Sequence, residues 1–220
     1  MDAPSTSPEV YARCLRDLSR VNAFTLTHRA TLSWIAKVTR SWAKDQPVSI
    51  LDVACGHGDL LRAIGRWAER TQRNARLEGI DLNPSSAAVA DAATPPGMQI
   101  GYRTGDVFQF SPEKPPDLII TSQFTHHLTD DALVRFLRWL DAHAGKGWCI
   151  VDLHRHALPY YGFPVLARLA GWHRIVRQDG QISVARAFRK GDWQRALAEA
   201  GLQAEIQWVF PFRYRVSHVR

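Results

Sequence analysis

The sequence predicts an α/β fold, an open and mostly parallel sheet with helices on both faces, and three observations carry that prediction. Short apolar runs alternate with helical patterns from Val48 to Leu153. Several of the runs are continuously apolar, as in strands covered on both faces. The first of them, Val48 to Val53, breaks at Gly56 and Gly58 and resumes as a helix with Leu60, Leu61, Ile64, Trp67 and Ala68 on one side. A strand, a glycine turn and a helix N-terminus together make a nucleotide-type ligand site.

Val10, Cys14, Leu15, Leu18 and Val21 stand at helical spacing and predict a first helix over 10–21. Ala30, Trp34, Val38 and Trp42 recur every fourth residue and predict a second over 24–44, ended by Gln46-Pro47. Beyond the glycine turn and its helix, Arg76 to Leu82 is the second strand, with Asp81 near its end. Asn83-Pro84-Ser85 opens a helix with proline in its first turn. Met98 to Arg103 is the third strand, and Asp117 to Ser122 a buried fourth. Thr129 caps the next helix, whose stripe is Leu133, Phe136, Leu137 and Leu140. Gly147 to Leu153 is the fifth strand. His154 to Val184 reads as irregular and aromatic-rich, with an added helix admitted over 158–172. Asp192 is the expected cap of a short helix stopped by Gly201. Strands over 204–210 and 212–219 close the chain.

At 220 residues and 45% hydrophobic content, the chain suffices for one buried core and excludes large-scale disorder. A net charge of +7 admits nucleic acid, an anionic membrane or acidic small molecules as partners, and a solvated Arg-rich surface accounts for it equally. Three cysteines, Cys14, Cys55 and Cys149, argue for a reducing compartment without structural disulfides. The polar N-terminus, Met1 to Glu9, has no apolar signal core, and no run reaches transmembrane length. These features lead us to expect a cytoplasmic protein with a short disordered tip. They leave its oligomeric state open.

The glycine turn narrows the ligand. A dinucleotide fingerprint wants a third glycine, where Leu61 stands. Asp52 would repel a pyrophosphate but attract a ligand bearing an amino group. Asp52-Val-Ala-Cys-Gly56-His-Gly58 resembles, position by position, the first motif of class I methyltransferases that use S-adenosylmethionine (SAM). Gly79-Ile-Asp81-Leu82 resembles the family's acid at the end of strand two. Gly105-Asp106-Val107 resembles its third motif, Asp117 to Phe124 its fourth, and Trp193 to Gly201 its last helix.

The resemblance runs from Val48 to the C-terminus. It implies a Rossmann-like seven-stranded sheet with the last strand antiparallel, and SAM as cofactor with S-adenosylhomocysteine (SAH) as product. It implies that Asp52, Ala54, Gly56 and Gly58 cradle the cofactor, and that Asp81 and Leu82 hold the ribose. Asp106 and Val107 would hold the adenine, with Ser122 closing the set. One domain over 1–220 is expected. Its parts are a helical cover at 1–45, a cofactor core at 46–153, a substrate-side insertion at 154–190 and a closing helix and strands at 191–220.

The similarity is nearest to small-molecule methyltransferases of quinone and natural-product pathways. Ser122-Gln-Phe-Thr125 departs from the Asn/Asp-Pro-Pro-aromatic motif of enzymes that methylate base amines or protein glutamine, which disfavours nucleic acid. His126 and His127 follow strand four, and His154 and His156 follow strand five, at neighbouring carboxyl ends where ligands bind. A histidine titrates near neutrality and takes a phenolic proton, and it serves as readily to cap a loop. His127 is the first candidate for the base and His154 the second. His126, Tyr160 and Tyr161 are candidate substrate contacts, with Arg20, His28 and Arg186 within possible reach. Trp34, Trp42 and Trp172 read as core or as pocket wall. A metal site from Asp152, His154 and His126 fits no standard spacing, and no metal is expected. Cys55 reads as a small side chain beside the turn.

The expected activity is methylation of a small apolar phenol or quinol, most simply at oxygen, in secondary metabolism. The alternatives are carbon or nitrogen methylation of a similar molecule, an RNA methyltransferase, a non-catalytic cofactor-binding subunit, and last a dehydrogenase.

Overall fold

A computed structural model describes residues 8–172 and 174–220 of the chain. Positions 1–7, most of the expected N-terminal tip, lie outside them. The described residues form one seven-stranded sheet: β1 (Val48–Val53), β2 (Ala75–Asp81), β3 (Ile100–Thr104), β4 (Leu118–Ser122), β5 (Gly147–Leu153), β6 (Glu205–Val209) and β7 (Arg213–Val219). The strand order is β3-β2-β1-β4-β5-β7-β6. The first five strands pair in parallel, and β7 runs antiparallel to both β5 and β6. This is the expected Rossmann-like sheet, last strand included.

β1, β4 and β5 are buried along almost their whole length, which explains their unbroken apolar sequences. From β1 the chain steps outward to β3, then returns to β4 on the other side of β1. That reversal opens a crevice beyond the carboxyl ends of β1 and β4, where open α/β sheets bind ligands.

Among the described residues eight helices flank the sheet: α1 (Pro8–Phe24), α2 (Thr27–Val38), α3 (Asp59–Arg70), α4 (Pro84–Ala92), α5 (Asp130–His143), α6 (Ala157–Leu169), α7 (Arg174–Arg186) and α8 (Lys190–Ala200). On one face Trp34 and Ile35 of α2 join Leu61, Ile64 and Trp67 of α3 over Ile50 and Ile120. On the other, Phe136 and Leu140 of α5 join Trp193 and Leu197 of α8 over Trp148 and Val216. Trp34 is 2% exposed. Trp34→Ala is therefore expected to lower the unfolding free energy by about 3–5 kcal/mol in a denaturant titration.

Three expectations need correction. The second helix is shorter than its four-residue rhythm suggests. Phe24 belongs to α1, Leu26 turns left-handed with φ 54°, and α2 stops at Val38. Trp42 lies beyond a single 3-10 turn, with Lys146 Nζ over its ring at 4.1 Å.

Within His154 to Val184 the helix admitted over 158–172 is present as α6, and the stretch after it is not irregular but most of α7. Pro159, Gly162, Pro164 and Gly180 disguise them. Pro159 falls in the first turn of α6, where a missing N–H costs nothing. Gly180 makes room for a ring, because a Cβ there would lie 2.1 Å from Phe163.

Asp192 is not the N-cap of α8 but its third residue. Its carboxylate accepts a hydrogen bond from the Arg189 N–H at 2.8 Å. One further contact, absent from the sequence reading, ties the cover to the sheet. Buried Arg213 on β7 donates to Oγ1 of Thr25 at 2.8 Å and of Thr27 at 2.7 Å. Burial lowers its pKa to about 10, so it stays charged at neutral pH.

Candidate active site

The loops after β1, β2, β3 and β4 surround a cavity of about 620 Å³, a size typical of small-molecule sites. Leu15, Leu18 and Asn22 of α1 roof it, with Asp179 and Ser183 of α7. The backbone beneath is strained. Ala54 holds φ 58° after β1, and Gln123 holds φ 56° after β4. A residue with a Cβ in that left-handed region costs about 1–2 kcal/mol.

Asp81 ties the glycine turn to β2. Its Oδ2 accepts from the Gly56 N–H at 2.9 Å, and its Oδ1 accepts from the Asn83 N–H at 2.9 Å and the Ser86 hydroxyl at 3.0 Å. A carboxylate has about four acceptor positions, so one remains for a ligand. Asp106 accepts from the Phe108 N–H at 2.9 Å and so shapes the turn at Val107–Gln109. Of the residues assigned to the cofactor, Asp52, Ala54, Gly56, Asp81, Leu82, Asp106, Val107 and Ser122 line the cavity. Gly58 does not. Its φ of 72° starts α3, and a Cβ there would lie 2.5 Å from the Tyr102 hydroxyl.

The wall by the turn is acidic. Asp52 is 2% exposed, and among the described residues no donor reaches its carboxylate. Burial, then the charges of Asp59 and Asp81, push its pKa well above the usual carboxylate range. Asp59 behaves oppositely. Burial opposes its charge, but His28 Nε2 at 2.9 Å and the Asn22 amide at 3.0 Å hold its pKa below the ordinary value. The Gln123 side-chain amide donates in turn to Asn22 Oδ1. This clasp of Gln123, Asn22, Asp59 and His28 locks α1 and α2 onto the core. Of these four, the sequence points only to His28. The signal for Asp59 is an acid in the first turn of the helix that follows the glycines.

At the other end lies a histidine–carboxylate pair. His126 sits on a 3-10 turn, Thr125–His127, just past β4. Its Nδ1 lies 2.7 Å from Oδ1 of Asp152, which is completely buried near the end of β5. The His126 N–H donates to Oδ2 of the same carboxylate at 3.0 Å, the Leu153 N–H to Oδ1 at 2.7 Å, and the Thr125 hydroxyl also donates to it. Burial alone would lower the His126 pKa. The charge and hydrogen bond of Asp152, with Asp179 beyond, outweigh it and raise the value. Burial likewise works against the Asp152 charge, but His126 and the donors hold its pKa below normal. Asp152 orients the ring, and Nε2 is the nitrogen left to the cavity that His126 lines. The role of Asp152 was missed, although it stands near the end of β5 as Asp52 does in β1 and Asp81 in β2.

The other histidines are placed differently. His127 also lines the cavity but is exposed, its ring 4.2 Å from that of His126. His154 is not in the cavity wall. It accepts from Trp208 Nε1 at 3.3 Å and meets the Tyr214 ring edge-on. His156 caps α6. Tyr160 and Tyr161 pack edge to face on α6, outside the wall, and Arg20 and Arg186 are exposed and outside it too. The cysteine beside the turn, Cys55, is buried against Gly79, and burial drives its thiol pKa far up, so it is no nucleophile at neutral pH.

A family model described as a methyltransferase domain matches residues 26–206. No curated protein matches the chain. Among solved structures, the plantazolicin methyltransferase BpumL in complex with SAH is similar at a TM-score of 0.69 and 15% identity, over 97% of this chain and 95% of that one. The magnesium protoporphyrin IX methyltransferase of Synechocystis PCC 6803, with bound SAH, gives 0.59 and 16%, over 89% and 84%. The human N-acetylserotonin methyltransferase in complex with SAM gives 0.67 and 14%, over 97% of this chain and 56% of that longer one. At these identities the likeness is one of fold. The family model spans most of the sequence, and the chain belongs to the methyltransferase-domain family.

Proposed function

We propose that this chain methylates an oxygen of a small, largely apolar aromatic substrate, with SAM as the methyl donor, in secondary metabolism. The observation that carries this reading is His126, held by buried Asp152 and standing in the wall of the same cavity as the acid-lined glycine turn. The cofactor suits the donor set. Three carboxylates, Asp52, Asp59 and Asp81, favour a cationic ligand, and among the described residues Asp52 has no donor. When bound, SAM supplies a methyl group on a sulfonium, open to in-line displacement.

The chain's own residues do the rest. Asp52 and Asp59 attract the ammonium end, and Asp81 accepts from a ribose hydroxyl at its one remaining acceptor position. Asp106 accepts from the adenine amino group, flanked by Leu82 and Val107. His126 takes the hydroxyl proton at Nε2, and Asp152 stabilises the imidazolium that results. His127 borders the acceptor. α1 and α7 keep water from the reacting atoms. His154, Tyr160 and Tyr161 have no part in this reading, because none of them reaches the cavity.

A panel of phenols, quinols and alkylated aromatics, assayed for SAH formation, tests it. An O-methylated product is expected. Methylation only at carbon or nitrogen would overturn the role given to His126.

A further inference from the structure

The substrate-side segment 154–190 holds most of the chain's excess charge. It carries seven Arg and Lys against a single Asp, six of the net seven positive charges. Arg155 is paired with Asp192 at 2.7 Å. Among the described residues no carboxylate lies within ion-pair distance of Arg168, Arg186, Arg189 or Lys190, all of them exposed.

The same segment exposes an apolar stripe. Leu158, Tyr161, Val165 and Leu169 of α6 are 65%, 71%, 60% and 82% exposed. At about 100° per residue these four positions fall within about 80° of the helix circumference. Arg168 stands at the edge of that arc. The opposite side is anchored: Ala167 is fully buried, and Phe163 lies over Gly180 of α7. α6 is thus held by one face and presents the other, an apolar stripe with Arg168 at its edge, within the segment that carries most of the chain's excess positive charge.

We propose that this face of α6 lies on an anionic lipid surface, with Leu158, Val165 and Leu169 in the acyl boundary and Arg168, with the other basic side chains of the segment, toward the headgroups. Charge complementarity selects that occupant. A second copy of the chain across a two-fold axis would bring two strongly positive segments together. A nucleic acid would leave the apolar stripe in water. An interfacial helix needs both features, a broad apolar face and a cationic border, and neither length nor a membrane-spanning run. α7, on which α6 rests, also supplies Asp179 and Ser183 to the cavity wall, so the surface would place the cavity close to lipid-dissolved apolar molecules.

Vesicle co-sedimentation tests the proposal with the full chain. Vesicles of phosphatidylcholine with about one-third phosphatidylglycerol should carry it down, phosphatidylcholine alone should not, and added salt should release it. The triple variant Leu158→Gln/Val165→Gln/Leu169→Gln should partition at least about tenfold more weakly, since apolar burial and charge act together. Arg168→Glu/Lys190→Glu should also weaken it. Far-ultraviolet circular dichroism and melting curves show whether the variants fold as the parent does. The proposal fails if anionic vesicles do not bind the parent chain, or if binding is unchanged in both folded variants. It fails equally if light scattering finds a dimer that the triple variant dissolves and no vesicle binding.

Discussion

His126→Ala lowers kcat by about 100- to 10,000-fold, the usual contribution of a positioned general base, and leaves SAM affinity as it was. The expectation follows from geometry before any titration. Nδ1 is fixed by a buried carboxylate at 2.7 Å, and the ring lines the cavity. The pH profile supplies the sign. His126 must be neutral to accept a proton, and Asp152 raises its pKa above the ordinary 6.5 against the effect of burial. Turnover therefore climbs with pH through a value above 6.5. Asp152→Asn removes the charge that raises it. Burial then dominates, so the rising limb moves to lower pH while the maximal rate falls. His127→Ala, at an exposed neighbouring position, acts more on KM than on kcat. Steady-state kinetics across pH check all three. A His126→Ala enzyme with full turnover and an unshifted profile would remove His126 from the proton path.

Asp81→Ala weakens SAM binding by about 100-fold or more. A hydrogen bond to a charged acceptor contributes about 1.5–3 kcal/mol, and the carboxylate serves both the ribose and the Gly56 N–H. Its loss removes ligand contacts and frees the glycine turn that it fastens to β2. Calorimetric titration of the variant checks this, alongside a melting curve to confirm folding. Unchanged affinity would mean that Asp81 is only a brace for the loop.

Much of this site was legible in the sequence because its parts are local. The strand, the left-handed turn and the following helix depend on a few consecutive residues. So do Asp81 and Asp106, which stand at or just past the ends of β2 and β3. What escaped is long-range. Asp152 meets His126 only because β4 and β5 are neighbours in the sheet, and Asn22 reaches Asp59 and Gln123 only once α1 lies across the crevice. Two adjacent histidines look alike in sequence, yet one is buried against Asp152 and its neighbour is exposed at the cavity. His154 follows β5 as expected, but its ring turns toward Trp208 and Tyr214. Of the two helices after β5, the prolines and glycine of α6 left it only an admitted option, and α7, with Gly180 at its centre, read as irregular. Tertiary contacts decided them, as the Phe163 ring over Gly180 shows.

Calorimetry of the unmodified chain with SAM and, separately, with NAD tests the central claim, that an acid-lined glycine turn holds a cationic nucleoside. Saturable heat is expected with SAM and none with NAD. Asp52 enters the reaction with a raised pKa, and a nearby cation lowers it, so binding should release a proton. The measured heat should then depend on the ionisation enthalpy of the buffer, and affinity should rise with pH. Heat with NAD and none with SAM would contradict the account.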